Sequence, residues 1–119
     1  MGDFRKLQVW EEAHKLTLKI YKLTSRLPRS EQFGLTSQIR RAAVSVESNI
    51  AEGESRYSRG EKIQFFTIAR GSIAEIKTQI LIIKDIYNNL ADKSLDIFEQ
   101  YSILEKRLNR LIVYHRKRK

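Results

Sequence analysis

Apolar residues recur along this chain in alternating steps of three and four, the spacing that gathers them on one stripe of a helix. Val9, Ala13, Leu16, Ile20, Leu23 and Leu27 make the first stripe. Pro28 stops it, because proline has no N–H to donate and its ring crowds the preceding turn. Past Arg29-Ser30-Glu31 the stripe resumes as Leu35, Ile39, Ala42, Val46, Asn49 and Gly53, flanked by Ala43 and Ile50, with Gly53 marking its end. A third, longer stripe runs Phe66, Ala69, Ile73, Ile76, Ile80, Ile83, Tyr87 and Leu90, and a fourth runs Ile97, Tyr101, Leu104, Leu108 and Leu111 to His115. Ser58 and Glu61 have capping-box spacing, in which the serine hydroxyl accepts from the Glu61 amide and Glu61 reaches back to the Ser58 amide. Asn88-Asn89 signals the end of the third helix, and Asp92 or Ser94 is placed to cap the fourth. No segment alternates with period two, and there is no Asn-Gly or Asp-Gly hairpin turn. The pattern predicts an all-α fold, an antiparallel up-and-down four-helix bundle in one domain over 1–119. The helices are expected at about 6–27, 31–54, 59–89 and 93–115, with a basic tail over 116–119. At about 1.5 Å rise per residue each is roughly 30–45 Å long, so the molecule should be a rod.

The third helix carries more apolar residues than one core can use. Leu81, Ile82 and Ile83 are consecutive, yet successive side chains on a helix point about 100° apart. Phe65, Leu81, Ile82 and Ile86 are therefore candidates for contact with another subunit. Beside the seam lies a polar row, Ser72 and Glu75 on helix three and Gln38, Arg41, Ser45 and Asn49 on helix two. These residues are candidates for a structural polar network with Arg41 and Glu75 as ion-pair partners; the alternative is two solvated faces.

Charge changes the picture. The chain has 119 residues, 41% hydrophobic and 31% charged, which supports one core and leaves no room for a second. Lys and Arg number 23 against 14 Asp and Glu, a net charge of +9. Lys106, Arg107, Arg110, Arg116, Lys117, Arg118 and Lys119 all fall in the last fourteen residues, which contain no acid, so that segment holds +7 of the +9. These seven are the candidate nucleic-acid-binding residues, because a concentrated cationic segment attracts polyanions; the alternative is a solubilising, frayed end. RNA, DNA and acidic membrane surface are the physical candidates. Ile112, Val113 and Tyr114 beside the tail give the membrane surface a minor place among them. The longest run without a charge is eight residues, Gln32 to Ile39, far short of the roughly 18 that a membrane span needs. No signal-like apolar core follows the first charges, and there is no cysteine. A soluble, cytoplasmic protein is expected.

Catalytic chemistry is hard to find. Glu11-x-x-His14 has the spacing of a carboxylate-bridged di-iron ligand pair, but that site needs a second copy, and His115 has Leu111 where the acid belongs. Glu11 also lies about 200° around the helix from Val9, toward solvent. There is no nucleophile elbow, deaminase motif or glycine-rich phosphate loop. The reading is no enzyme, no catalytic residue, no cofactor, no metal and no small-molecule substrate. RNA-recognition signatures are absent too, so any nucleic-acid binding would rest on charge and shape.

The run Phe33-Gly34-Leu35-Thr36-Ser37-Gln38-Ile39-Arg40-Arg41-Ala42-Ala43-Val44-Ser45-Val46, then Asn49-Ile50-Ala51-Glu52-Gly53, then Ala69-Arg70-Gly71-Ser72 with Glu75, resembles the family of proteins encoded in intervening sequences of bacterial 23S ribosomal RNA genes. The likeness extends upstream through Trp10, Ala13, Leu16, Ile20-Tyr21, Thr24 and Pro28, covering about Phe4 to Leu90. The chain departs from the family at Glu47, where proline is common, which puts a kink in helix two in doubt. The resemblance implies a small antiparallel bundle assembled as a homopentameric ring with a basic surface. It also points to a related branch, accessory proteins of diversity-generating retroelements, which bind a reverse transcriptase and nucleic acid. The expected role is a bacterial oligomeric adaptor binding RNA, more than DNA, or a ribonucleoprotein. The alternative is a scaffold docking an acidic protein partner such as a reverse transcriptase.

Overall fold

The computed structural model describes residues 3–117. Four long helices carry the fold: α1 (Gln8–Thr24), α2 (Leu35–Ser55), α3 (Arg59–Ile86) and α4 (Ala91–Lys117). Short 3-10 turns at Phe4–Lys6, Arg29–Glu31 and Asn88–Leu90 lead into α1, α2 and α4. Among the described residues there is no strand. Contacts run α1 to α2, α2 to α3, α3 to α4 and α4 back to α1, a closed square of helices around one core. Cross-helix partners are ordered in opposite senses: His14 meets Glu47 while Arg40 reaches Thr24, Ser45 meets Ser72 while Gln38 meets Gln79, and Lys77 meets Glu105 while Arg70 meets Asn109. The result is a rod 49 Å long and about 20 Å across.

The four apolar stripes form its axis. All six seam residues of the first stripe are buried, including Leu27, which lies beyond the end of α1. Phe66, Ile73, Ile76, Ile80 and Ile83 of α3 and Tyr101, Leu104 and Leu108 of α4 have no solvent exposure. Toward the end of α4 the seam shifts by one residue. Ile112 is buried and Leu111 only partly so. That removes Ile112 from the group that had suggested a membrane surface, leaving Val113 and Tyr114 exposed. No helix among the described residues is long and apolar enough to cross a membrane.

Helix ends depart from the pattern where polar side chains compete for backbone groups. The first helix ends at Thr24 rather than 27, since the Thr24 and Ser25 hydroxyls donate to the Ile20 and Lys22 carbonyls and the next turn tightens to 3-10 form. The second begins at Leu35 rather than 31, because the Gly34 backbone leaves the helical region. It then runs unbroken through Glu47. The third starts as expected at Ser58, whose hydroxyl accepts from the Glu61 amide. The return half of the box differs: Ser58 Oγ donates to the Glu61 carboxylate, so that carboxylate meets the hydroxyl. The third helix ends at Ile86, and α4 grows straight out of the Asn88–Leu90 turn. Ser94 is therefore inside a helix, fully buried, and Asp92 sits in the first turn, so the capping role expected of one of them is not realised.

Two positions convert this packing into measurable expectations. A Cβ at Gly53 would lie 2.6 Å from the Phe66 ring, which is fully buried and has nowhere to move. Gly53→Ala should cost about 1–3 kcal/mol in urea unfolding, as overpacked cores do. Tyr101 presents the opposite case, a buried hydroxyl with no hydrogen-bond partner among the described residues. Burial first, and the Glu47 carboxylate second, push its phenol above the usual tyrosine range. Tyr101→Phe should leave stability unchanged or raise it by about 1 kcal/mol, because the orphaned group is removed with its shape preserved. As pH passes about 10 the unfolded tyrosine ionises before the folded one, so wild-type stability falls there, and thermal melts of Tyr101→Phe should show a shallower fall.

Candidate functional site

The basic end is built by the last three turns of α4. Lys106, Arg110, Arg116 and Lys117 are exposed and make no ion pair among the described residues. Lys106, Arg110 and Lys117 follow at steps of four and seven, rotations of about 40° and 340°, so they share one face of a helix continuous to Lys117. Arg107 does not join them. It turns about 100° away and pairs with Glu12 of α1, an interhelix bridge that takes one cation from the candidate set. Arg118 and Lys119 lie outside the described residues.

Two neighbouring helix starts border this end. The start of α1 faces Arg107 and Arg110 across a cleft of about 370 Å³ lined by Leu7, Gln8, Val9 and Leu111. No side chain caps that helix, so its first amides are not bonded by a cap, and Glu11 stands in its first turn. The start of α3 faces Arg116 across a second cleft lined by Ser58, Arg59, Gly60, Ile63 and His115. Lys106, Arg110, Arg116 and Lys117 thus share one end of the rod with the uncapped start of α1, whereas the start of α3 is already capped by Ser58 and carries Glu61 in its first turn.

The polar row between α2 and α3 is partly a network. Ser45 Oγ and Ser72 Oγ lie 2.9 Å apart, and Asn49 Nδ2 donates to Ser45 O at 2.8 Å and to Ser45 Oγ at 3.1 Å. Gln79 Nε2 donates to Gln38 Oε1 at 3.5 Å. Arg41 and Glu75 are not partners. Both are exposed, and neither makes an ion pair among the described residues, because each is displaced around its helix from the Ser45–Ser72 line. The arginine of α2 that does tie helices together is Arg40, missed in the sequence. Its Nε donates to Thr24 Oγ1 at 2.8 Å and its guanidinium lies 4.4 Å from the Tyr21 ring centre. Its position about 100° from Arg41, on the side facing α1, was the available signal.

The surplus apolar residues divide. Phe65 is half-buried under the Arg56 guanidinium, 4.8 Å from the ring centre, whereas Leu81, Ile82 and Ile86 are exposed. Val44 and Ile68 are exposed as well. Glu11 Oε1 accepts from Lys15, and His14 Nδ1 lies 3.0 Å from Glu47 Oε2 with its ring stacked on Trp10. Those partners send Glu11 and His14 to different neighbours.

The family model described as "23S rRNA-intervening sequence protein" matches residues 5–110 of the chain. No curated protein matches it. A solved structure with the same fold is that of a protein with unknown function from the S23 ribosomal protein family of Bacteroides thetaiotaomicron VPI-5482. The two are 21% identical with a TM-score of 0.77, covering 87% of this chain and 97% of that one. Neither description names a reaction.

Proposed function

The chain belongs to the family of 23S rRNA-intervening sequence proteins, and on that premise we propose that it is a non-enzymatic, oligomeric helical adaptor that binds RNA or a ribonucleoprotein through its basic end. The observation that carries this reading is the face of Lys106, Arg110 and Lys117, three unneutralised cations on one helix in a segment without acids. The uncapped start of α1, beside Arg110, supports it. The opposed order of cross-helix partners supports an antiparallel up-and-down bundle. Exposed Leu81, Ile82 and Ile86 support self-association, and the ring implied by the family gives a pentamer of about 70 kDa from the 14.0 kDa chain. Repetition of the basic end around a ring turns a helix face into a band of positive charge.

Filter-binding titrations of single-stranded RNA, duplex DNA and heparin from 50 to 500 mM salt test the binding. RNA affinity should fall nearly linearly in log–log form with rising salt and vary little with sequence. Binding at no salt concentration to any of the three polyanions would defeat the reading and leave an acidic protein partner as the target.

A further inference from the structure

At the end of the rod away from the basic face of α4, helices α1 and α4 part enough to leave a cleft of about 490 Å³. Its floor is Leu23 and Ile97, core residues that are 3% and 5% exposed. Lys19, Lys22 and Arg26 follow at steps of three and four, so α1 presents an all-basic wall, while α4 contributes Asp92, Lys93 and Asp96. Four cations against two carboxylates leave an excess of two positive charges. Lysine and arginine carry their charge at the tip of an apolar stem, so a wall built from them is apolar near the backbone and cationic at its rim.

Polar bonds join the two helices at the Lys19 side of this cleft. Lys19 Nζ donates to Gln100 Oε1 at 2.7 Å, and Gln100 Nε2 donates to Asp96 Oδ2 at 2.8 Å, a relay that occupies Lys19 and one oxygen of Asp96. Elsewhere the charges do not meet: Lys22, Arg26, Lys93 and Asp92 make no ion pair among the described residues, so the walls stand beyond salt-bridge reach of one another. Three cations are left without a contact partner. A polyphosphate would be repelled by Asp92 and Asp96 and would leave the aliphatic floor unused. A neutral apolar molecule would use the floor and leave the cations unused.

We propose that this cleft binds an anionic amphiphile, a small molecule with a single carboxylate or sulfonate on an apolar body. The head sits among Lys22, Arg26 and Lys93, and the body lies against Leu23 and Ile97. The volume is that of small-molecule sites, which are mostly apolar with a few charged groups that fix orientation. The positive excess favours one anion over a neutral or cationic analogue of the same shape. Because the body touches both α1 and α4, an occupant ties the two helices together and, by linkage, raises the melting temperature. The site is separate from the basic end of α4, and its ligand is not a nucleic acid.

The probe is 8-anilinonaphthalene-1-sulfonate, which carries one sulfonate on an aromatic body and fluoresces when shielded from water. At the efficiency usual for a ligand of that size it should bind the full chain with a dissociation constant of about 20 µM. Octanoate should displace it, and octylamine, an eight-carbon chain with a positive head, should not. Lys22→Glu with Arg26→Glu, both at exposed positions, should weaken binding about 10-fold or more, with circular dichroism melts matching wild type. Ile82→Ser with Ile86→Ser, which removes exposed apolar surface elsewhere, should leave binding unchanged. If the Lys22 and Arg26 double variant melts early, methyl NMR of the wild-type chain locates the probe, with shifts concentrated at Leu23 and Ile97. Binding that survives reversal of Lys22 and Arg26, disappears with Ile82 and Ile86, or yields to octylamine as readily as to octanoate would overturn the proposal. So would probe-induced methyl shifts that miss Leu23 and Ile97, or no binding up to about 1 mM probe.

Discussion

Phe66→Ala is expected to remove about 3–5 kcal/mol of stability and lower the melting temperature by about 10–20 °C. Phe66 has no exposure, and it bridges the end of α2 to the last turns of α4: its ring covers Gly53 and lies 5.8 Å from the His115 ring. Truncation forfeits the transfer energy of the ring and leaves a void that stiff helices cannot collapse into. The cost should couple to Gly53. With the ring gone, the three nearest atoms that the methyl of Gly53→Ala would strike are gone too, so the double variant should be more stable than the sum of the single losses predicts. Urea titration of the four species measures that coupling directly. A loss below about 1 kcal/mol for Phe66→Ala, or strict additivity with Gly53→Ala, would mean that this end of the bundle is not packed as described. Tyr57→Ala, at an aromatic that is 87% exposed, serves as the control with little effect.

The seams were readable in the sequence because burial and helix period act on the same residues. Ile39, Ile73, Ile80 and Leu104 could be placed inside without any knowledge of their neighbours, since a stripe on a helix has only one place to go. Helix ends were less readable, because they depend on which backbone groups a nearby hydroxyl captures. Thr24 and Ser25 end α1 early by bonding back to its own carbonyls, a choice that the apolar stripe does not record. Ser94 shows the converse: its residue type suits a cap, but the chain had already begun α4 at Ala91 and left the hydroxyl buried without a partner among the described residues.

For the candidate site, charge composition located the basic segment, while the rotation of each residue around α4 decided its use. Arg107 is one step from Lys106 in sequence and belongs to a different face, where Glu12 holds it. Arg40 and Arg41 repeat the lesson on α2. Both are basic and adjacent, yet only Arg40 faces Tyr21 and Thr24, and Arg41 remains in solvent. The cleft at the other end was invisible to periodicity. Its lining joins residues 19–26 to residues 92–97, and nothing in either stretch alone indicates that they face each other.

Replacing Lys106, Arg110 and Lys117 together with serine is expected to weaken single-stranded RNA binding by about 100-fold per subunit contact at 0.1 M salt, with the difference shrinking toward 1 M. Each neutralised phosphate on a single strand contributes a slope of roughly −0.7 in log affinity against log salt, so losing three contacts should flatten the slope by about 2. The effect should be nearly independent of base sequence, because exposed cations on a helix supply charge without a fixed edge for reading bases. Serine at three exposed positions leaves the core intact, and the melting temperature should move little. Arg107→Ser offers the contrast. Its guanidinium is occupied by Glu12, so it should reduce RNA binding only slightly while destabilising the α1–α4 contact, since Glu12 Oε1 is already buried without a partner among the described residues. An unchanged salt slope in the triple-serine chain would show that α4 does not touch phosphate.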